Sequence, residues 1–178
     1  ALAKACCLLA TDDSFQRSGD KVRELFDQTV SERTIERLVH HVGSGVLDQQ
    51  DAQIENVLSQ RQAPEAHVTP ERLYITADGT TVCEQDGWHE TKIGCLYWEN
   101  QRFHRQARYV GSFENSERFG WQLWFHACQC GLREAKDVVY IGDGARWIRN
   151  EHQKHFAKAT CILDWYHASE HVWECGKL

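Results

Sequence analysis

The segment DVVYIGDGARWIRNEHQKHFAKATCILDWYH, residues 137–167, decides the fold class. It begins with a continuously apolar run over 137–144, of the kind that forms a strand buried on both faces. An amphipathic helical pattern over 145–157 follows, and a second such apolar run over 159–164 precedes a further helix over 165–177. A strand, a helix and a strand in this order predict a βαβ unit with two parallel strands.

The sequence upstream of this unit extends the predicted sheet. Three runs rich in β-branched and aromatic residues predict strands over 73–79, 88–100 and 107–113, and a helical pattern covers 115–132. The predicted order is therefore β-β-β-α-β-α-β-α. Hairpin strands followed by alternating strands and helices indicate an α/β fold with a mixed sheet.

The region before this sheet is predicted to be a small all-helical region, 1–62. Within 15–43, apolar residues at helical spacing indicate two amphipathic helices, with Ser31 as the N-cap of the second and Gly43 as its end. A third short helix is predicted over 51–60. The arrangement has the shape of a helix-turn-helix, and the exposed face of its second helix would carry the possible DNA contacts Arg33 and Arg37. The mixed charges on that face favour an ordinary helical hairpin.

The chain is predicted to have two parts joined by a linker. Its two prolines, Pro64 and Pro70, lie in a polar stretch, 63–71, that separates the helical region from the mixed α/β region, 72–178. The absence of methionine and the abrupt last helix indicate a fragment, truncated at its C-terminus.

The composition of the 178 residues is globular, with 42% hydrophobic residues, and the seven tryptophans are predicted to be in the core or half-buried. No apolar run approaches the ~18 residues of a membrane span. The net charge of −6 excludes a generic basic nucleic-acid coat. The eight cysteines, without a secretory signal, indicate reduced thiols in a cytosolic protein.

Three predicted strands finish on an aspartate, namely Asp78, Asp143 and Asp164, and glycine follows the first two. Because the carboxyl ends of parallel strands meet at one edge of a sheet, the carboxylates of Asp78 and Asp143 would converge there. Paired carboxylates repel each other and suit a divalent cation, with Mg²⁺ or Mn²⁺ as the expected ion. The pattern predicts a site for two such ions, as used in attack on phosphodiesters. The alternative is that each Asp-Gly step only makes a turn.

Asp164 and His167 are three residues apart at the start of the last predicted helix, so they share one face. One interpretation is that Asp164 caps the helix and orients His167. A second is that both support the neighbouring metal site. A third is a structural Zn²⁺ site built from His167, His171, Cys175 and Cys161, although no CxxC pair accompanies it.

Other charged residues are candidates for the same edge of the sheet. Glu90 in the second strand faces either the site or the solvent. Two groups of arginines are possible phosphate contacts, and the alternative for both is a solvated surface. They are Arg102, Arg105 and Arg108 near the second hairpin, and Arg146 and Arg149 in the helix after Asp143.

Three motifs in order, ITADGT…WHETKIG, VVYIGDGARWI and ILDWYHASEHVW, resemble bacterial insertion-sequence transposases of the ISKra type, within the Mutator-like group. The resemblance covers 72–178. It implies a ribonuclease H-like core whose Asp-Asp-Glu triad binds two Mg²⁺ ions, with Asp78 as the first acid and Asp143 as the second. Asp164 and His167 resemble the (Cys/Asp)-x-x-His motif that follows the second acid in this group.

The third acid departs from the family pattern. In this group it lies well downstream, after a helical insertion, so the resemblance implies that this chain lacks it. Glu170 and Glu174 fall on the last helix, where shorter members of the fold carry their glutamate, and with Glu90 they are the possible third ligands within the chain.

The resemblance implies hydrolysis and strand transfer at the ends of an insertion sequence. Its partners would be the terminal inverted repeats and the target DNA, and the full-length protein would be a homo-oligomer in the bacterial cytoplasm, associated with the nucleoid. One alternative is a ribonuclease H-like nuclease without strand transfer. The other is a zinc-stabilised DNA-binding module without catalysis.

Overall fold

The computed structural model describes residues 1–84, 86–100 and 102–177, with the side chains of Glu84 and His171 outside the description. The chain divides into two compact units, Ala1–Ser59 and Gln60–Leu178. The predicted linker, 63–71, begins just after this division. The elements in chain order are α1 Leu2–Leu9, α2 Phe15–Phe26, α3 Glu32–Gln60, β1 Arg72–Glu84, β2 Gly87–Glu99, β3 Arg105–Ser112, α4 Ser116–Gln129, β4 Asp137–Gly142, α5 Arg146–His155, β5 Thr160–Leu163 and α6 Trp165–Cys175.

The N-terminal unit consists of helices, two of which have starts capped by serines. Ser14 Oγ accepts a hydrogen bond from the N–H of Arg17 in α2, and Ser31 Oγ accepts one from the N–H of Thr34 in α3. The cap at Ser31 confirms its predicted role. A small core of Cys6, Val22 and Ile35 holds the helices together.

Helix α3 is longer than the sequence predicts. The expected end at Gly43 and the separate helix over 51–60 are wrong, because one helix runs from Glu32 to Gln60. An interior glycine costs a helix about 1 kcal/mol relative to alanine, but it ends the helix only in a left-handed conformation. Gly43 and Gly45 do not adopt that conformation. No proline follows before Pro64 to stop the helix.

The second unit contains a five-stranded sheet in the order β3-β2-β1-β4-β5. β1 pairs antiparallel with β2 and parallel with β4, and β5 pairs parallel with β4. The predicted α/β class and the order β-β-β-α-β-α-β-α are confirmed. This mixed sheet is compatible with a ribonuclease H-like fold.

Strand β1 does not end at the Asp78-Gly79 step as predicted. It continues to Glu84, because β2 pairs with it along the whole stretch from Tyr74 to Glu84. What ends near Asp78 is the parallel pairing with β4, whose last pair is Ala77 with Gly142. The Asp-Gly step therefore lies within a strand and marks the edge of the parallel part of the sheet.

The core of the second unit lies between the sheet and helices α4 and α5. It contains Leu73, Ile75, Leu96 and Tyr140 from the strands, and Phe119, Leu123 and Ile148 from the helices. Two glycines permit the close approach: a Cβ on Gly94 would lie 2.6 Å from Leu123, and one on Gly142 would lie 2.5 Å from Ile148. Larger side chains at these two positions would push the helices away from the sheet.

The C-terminal part of this unit is more exposed than predicted. The prediction of a buried strand is wrong for β5, whose four residues are all exposed. β5 is an edge strand with a partner on one side only, and α6 has no buried residue among those described. Trp88, Trp165 and Trp173 are also exposed, against the prediction for tryptophans. The other four, Trp98, Trp121, Trp124 and Trp147, are half-buried.

Within the part of the chain that the structure describes, no helix is both long and apolar enough to cross a lipid bilayer.

A buried pair of titratable side chains lies on α5 where it packs against α4. Glu151 and His155 are one helical turn apart, with Oε2 and Nε2 3.2 Å from each other. The His155 ring also packs edge-on against Trp121, with the ring centroids 4.4 Å apart. Burial is the main cause that lowers the pKa of His155 from 6.5 to about 4, and burial also raises the pKa of Glu151.

This pair makes stability depend on pH. Because the folded protein holds His155 neutral, the unfolded chain binds more protons below pH 6.5, and stability falls as the pH falls from 6.5 to about 4. The loss is on the order of 3 kcal/mol, since one pKa unit corresponds to about 1.4 kcal/mol. Glu151 acts in the opposite direction as it takes up a proton. We expect His155→Phe to flatten the decline of the melting temperature over this range, whereas His104→Phe, at an exposed histidine, leaves it unchanged.

Candidate metal centre

The backbone pairing brings Asp78 and Asp143 to neighbouring positions. Each follows directly on the last parallel pair of β1 and β4, Ala77 with Gly142. Each carboxylate also accepts a local hydrogen bond. Asp78 Oδ1 accepts from the N–H of Gly79 at 2.8 Å, and Asp143 Oδ1 accepts from the N–H of Ala145 at 2.7 Å. The two carboxylates are thus held at one edge of the sheet, as the strand pattern predicts.

Strand β5 brings a third side chain to this edge. The N–H of Asp164 donates to the carbonyl oxygen of Gly142 at 2.8 Å, so the start of α6 stays beside the end of β4. Asp164 caps α6 through Tyr166, and its Oδ2 lies 3.0 Å from Nδ1 of His167. A carboxylate only accepts hydrogen bonds, so Nδ1 is the donor. In the neutral imidazole, Nε2 then holds the lone pair that can bind a metal.

Asp78, Asp143 and His167 form a group with the geometry of a metal site. One oxygen from each carboxylate and one ring nitrogen of His167 all lie within 4.8 Å of one another. Among the described residues, this is the one group of three or more His, Cys, Asp or Glu side chains with that spacing. Asp78 is exposed and the other two are half-buried, so the group is accessible from solvent.

The electrostatics of His167 report an excess of negative charge at this edge. Its hydrogen bond to Asp164 is the main cause that raises its pKa; burial opposes this as the second cause, and the charges of Asp164, Asp78 and Asp143 raise the pKa further. The imidazole is accessible to water, which screens these charges. The same charges would attract a divalent cation.

A comparison of the sequence with models of known protein families assigns this chain to a family. The sequence model of the uncharacterised protein family UPF0236 matches residues 3–177. The chain belongs to this family. The match runs through both units and through every residue of the metal-site group. No curated protein matches the sequence.

The structure places the predicted third ligands of this UPF0236 chain elsewhere. Glu90 lies on β2, with Oε2 3.4 Å from the ammonium of Lys92, and it is not part of the group of three. Glu170 and Glu174 lie on α6, also outside that group, and both are exposed. His167 is the third member of the group. That a glutamate completes the site therefore stays a prediction.

The alternative Zn²⁺ site remains untested. The side chain of His171 lies outside the described residues. Cys161 and Cys175 are both exposed, and His167 is directed into the group with Asp78 and Asp143.

Two of the arginines predicted to contact phosphates make side-chain contacts within the protein. Arg108 donates to Gln129 Oε1 at 2.7 Å and so helps to hold β3 against α4. Arg105 lies over the ring of Tyr97, 5.5 Å from its centroid. These two arginines therefore support the local packing of the sheet.

The other arginines predicted to contact phosphates are exposed to solvent. Arg149 donates to the carbonyl oxygen of Gly144 at 3.1 Å, and Arg146 is exposed in the first turn of α5, close in sequence to Asp143. Arg102 is exposed in the turn after β2, and in the N-terminal unit Arg33 and Arg37 lie on α3. Arg146 is the predicted contact placed nearest the metal-site group along the chain.

Sequence reasoning missed one residue near this edge. Lys92 on β2 is only 6% exposed, although it lies beside the part of β1 that carries the site. A lysine within an alternating strand is typical of a solvent-facing position, and nothing in the sequence distinguishes this one. Its ammonium lies 6.0 Å from the ring centroid of Trp147, which comes from a helix 55 positions further along the chain.

Proposed function

We propose that this chain is part of a DNA transposase, with 72–178 as its catalytic core, which cleaves and joins phosphodiesters at the ends of an insertion sequence with bound divalent cations. The observation that carries the proposal is the group formed by Asp78, Asp143 and His167. The group lies at the carboxyl ends of parallel strands, where open α/β sheets bind their ligands.

The chain's own residues would have distinct roles at this site. Asp78 and Asp143 bind the cation, and the N–H groups of Gly79 and Ala145 fix one oxygen of each carboxylate. His167 supplies a third donor, oriented through its hydrogen bond to Asp164. When bound, divalent cations supply activation of the attacking oxygen and charge stabilisation of the leaving oxygen.

The donor set fits a small divalent cation. Carboxylate oxygens suit Mg²⁺ and Mn²⁺, whereas an imidazole nitrogen favours the first-row transition metals. With His167 as the third donor, we expect Mn²⁺ to bind more tightly than Mg²⁺. Two ions, as the resemblance to Mutator-like transposases implies, would need oxygen ligands beyond these three residues, and a substrate phosphate is one source.

The choice of a transposase over a nuclease rests on the order of the three motifs around Asp78, Asp143 and Asp164. Both kinds of enzyme would hydrolyse a phosphodiester, but only the transposase would join the released 3′-hydroxyl to target DNA. The proposed partners are accordingly the terminal inverted repeats, the target DNA and further copies of the full-length protein. The net charge of −6 implies that this chain alone binds DNA weakly.

Two assays test this proposal with purified protein. The first follows nicking of a supercoiled plasmid with Mn²⁺ or Mg²⁺. The second follows joining to that plasmid of 3′-hydroxyl duplexes taken from the DNA that flanks the coding sequence. With His167 as the donor in place of the third acid, we expect both activities, and we expect Asp143→Asn to slow each by roughly a hundredfold or more.

The results of the two assays distinguish the transposase from the nuclease. Nicking without joining would favour the nuclease. Nicking at an equal rate by wild type and Asp143→Asn would contradict the proposed site.

A further inference from the structure

Lys92 is a buried cation beside the strand that carries Asp78. Its side chain is 8% exposed, and its ammonium lies 3.4 Å from Glu90 Oε2. The pairing of β1 with β2 places Lys92 directly across from Gly79, the residue after Asp78. Burying a charge costs free energy that one ion pair with an exposed partner does not fully return. The position of this lysine therefore calls for a reason other than stability.

The face of Gly79 is covered by side chains from two other elements. A Cβ placed on Gly79 would lie 3.5 Å from Trp147 and 3.6 Å from Glu90 Oε1, both ordinary contact distances. Trp147 belongs to the first turn of α5, which follows Asp143. The segment after Asp78 and the helix after Asp143 therefore meet at this point.

Lys92 and Phe119 hold Trp147 at this meeting point. The ammonium of Lys92 lies 6.0 Å from the centroid of the Trp147 ring, within the range of a cation–π contact. Phe119 of the core packs edge-on against the same ring, with the centroids 5.8 Å apart. The indole is thus fixed to the core on one side and to β2 on the other.

We infer that Lys92 is a positioning residue for the metal centre, acting through Trp147 and Glu90 to fix β1 at Gly79 relative to the start of α5. The inference rests on the proposed function, because it concerns the spacing of the two carboxylates that bind the cation. Lys92 lies across from Gly79 and reaches the carboxylates only through the backbone segments that bear them. Residues that hold metal ligands in place typically contribute about 10–100-fold to metal affinity.

The test compares Mn²⁺ affinity and thermal stability in Lys92→Met. Methionine keeps the unbranched, apolar length of the side chain and removes the charge. We expect a roughly tenfold weaker Mn²⁺ affinity by titration calorimetry, with a melting temperature that stays the same or rises because the cost of burying a charge is gone. Lys158→Met, at an exposed lysine, removes the same charge and should leave the affinity unchanged.

A double-mutant cycle with Trp147→Leu tests the route of the effect. If Lys92 acts in part through Trp147, the two losses of Mn²⁺ affinity are not additive, and the double variant loses less than the sum of the two single variants. Additive losses would overturn this route.

The other possible results show which claim is wrong, the inference about Lys92 or the proposed function. Equal Mn²⁺ affinity of wild type and Lys92→Met would overturn the inference alone. Tighter Mn²⁺ binding by Lys92→Met would also overturn it, because Lys92 would then only repel the cation. Failure of the wild type to bind Mn²⁺ through Asp78 and Asp143 would overturn the proposed function as well.

Discussion

Asp143→Asn is expected to weaken Mn²⁺ binding by more than about a hundredfold. The change removes one of two carboxylate charges from the group formed by Asp78, Asp143 and His167, and a direct ligand should matter more than the roughly 10–100-fold typical of its supporting residues. The asparagine retains an Oδ1 that can accept from the N–H of Ala145, so the local fold should persist. Calorimetric titration with Mn²⁺, alongside the melting temperature, measures both effects.

The matched control lies on the same strand. Asp137 is at the opposite end of β4, where it bonds to Arg72 at 2.9 Å with both side chains about half exposed. Asp137→Asn removes the same charge and a surface ion pair worth at most about 1 kcal/mol. It should leave Mn²⁺ affinity unchanged. A loss of affinity as large as that of Asp143→Asn would mean that Mn²⁺ responds to the total charge and not to the site.

Gly131→Ala is expected to destabilise the second unit by about 2–5 kcal/mol. Gly131 follows α4 with a φ of +86°, which costs an alanine about 1–2 kcal/mol. A Cβ there would also lie 2.6 Å from the carbonyl oxygen of Val68 and 2.4 Å from the ring of Pro70. Overpacking of this kind costs about 1–3 kcal/mol. The loss would be a large part of the roughly 5–15 kcal/mol that stabilises a typical domain, and denaturant unfolding would measure it.

Substitutions at two other glycines separate the two costs of Gly131→Ala, which are backbone strain and the collision of the new Cβ with Val68 and Pro70. Gly87 has a φ of +137°, and among the described residues beyond its two chain neighbours no atom lies within 4 Å of the place that a Cβ would occupy, so Gly87→Ala should show the cost of strain alone. Gly111 has an ordinary φ and equally open surroundings, so Gly111→Ala should be close to neutral. If Gly131→Ala costs no more than Gly87→Ala, the packing of 68–70 against the end of α4 is looser than the structure indicates.

The sequence predicts the parts of this fold that depend on local pattern. Hydrophobic periodicity and strand-end aspartates suffice for the element order and for the convergence of Asp78 with Asp143. They suffice because parallel strands bring their carboxyl ends to one edge in any sheet of this kind. The spacing of Asp164 and His167 also indicates their shared face, although not that His167 reaches the carboxylates.

The remaining features depend on contacts between distant segments. β1 passes through Asp78-Gly79 because β2 continues to pair with it, a contact that no local pattern of β1 contains. The apolar residues of β5 predict a buried strand, but β5 lies at the exposed edge of the sheet. Lys92 is buried, with its ammonium beside the ring of Trp147 from another element. In each case the structure depends on a contact with a segment that is distant in the sequence, and not on the local sequence pattern.

The measurement that tests the account most directly is anomalous scattering from crystals grown with Mn²⁺. We predict a peak bound by the carboxylates of Asp78 and Asp143, with Nε2 of His167 in the coordination shell and Asp164 still bonded to Nδ1. A structure with ordered carboxylates, saturating Mn²⁺ and no peak between Asp78 and Asp143 would contradict the proposed catalytic centre.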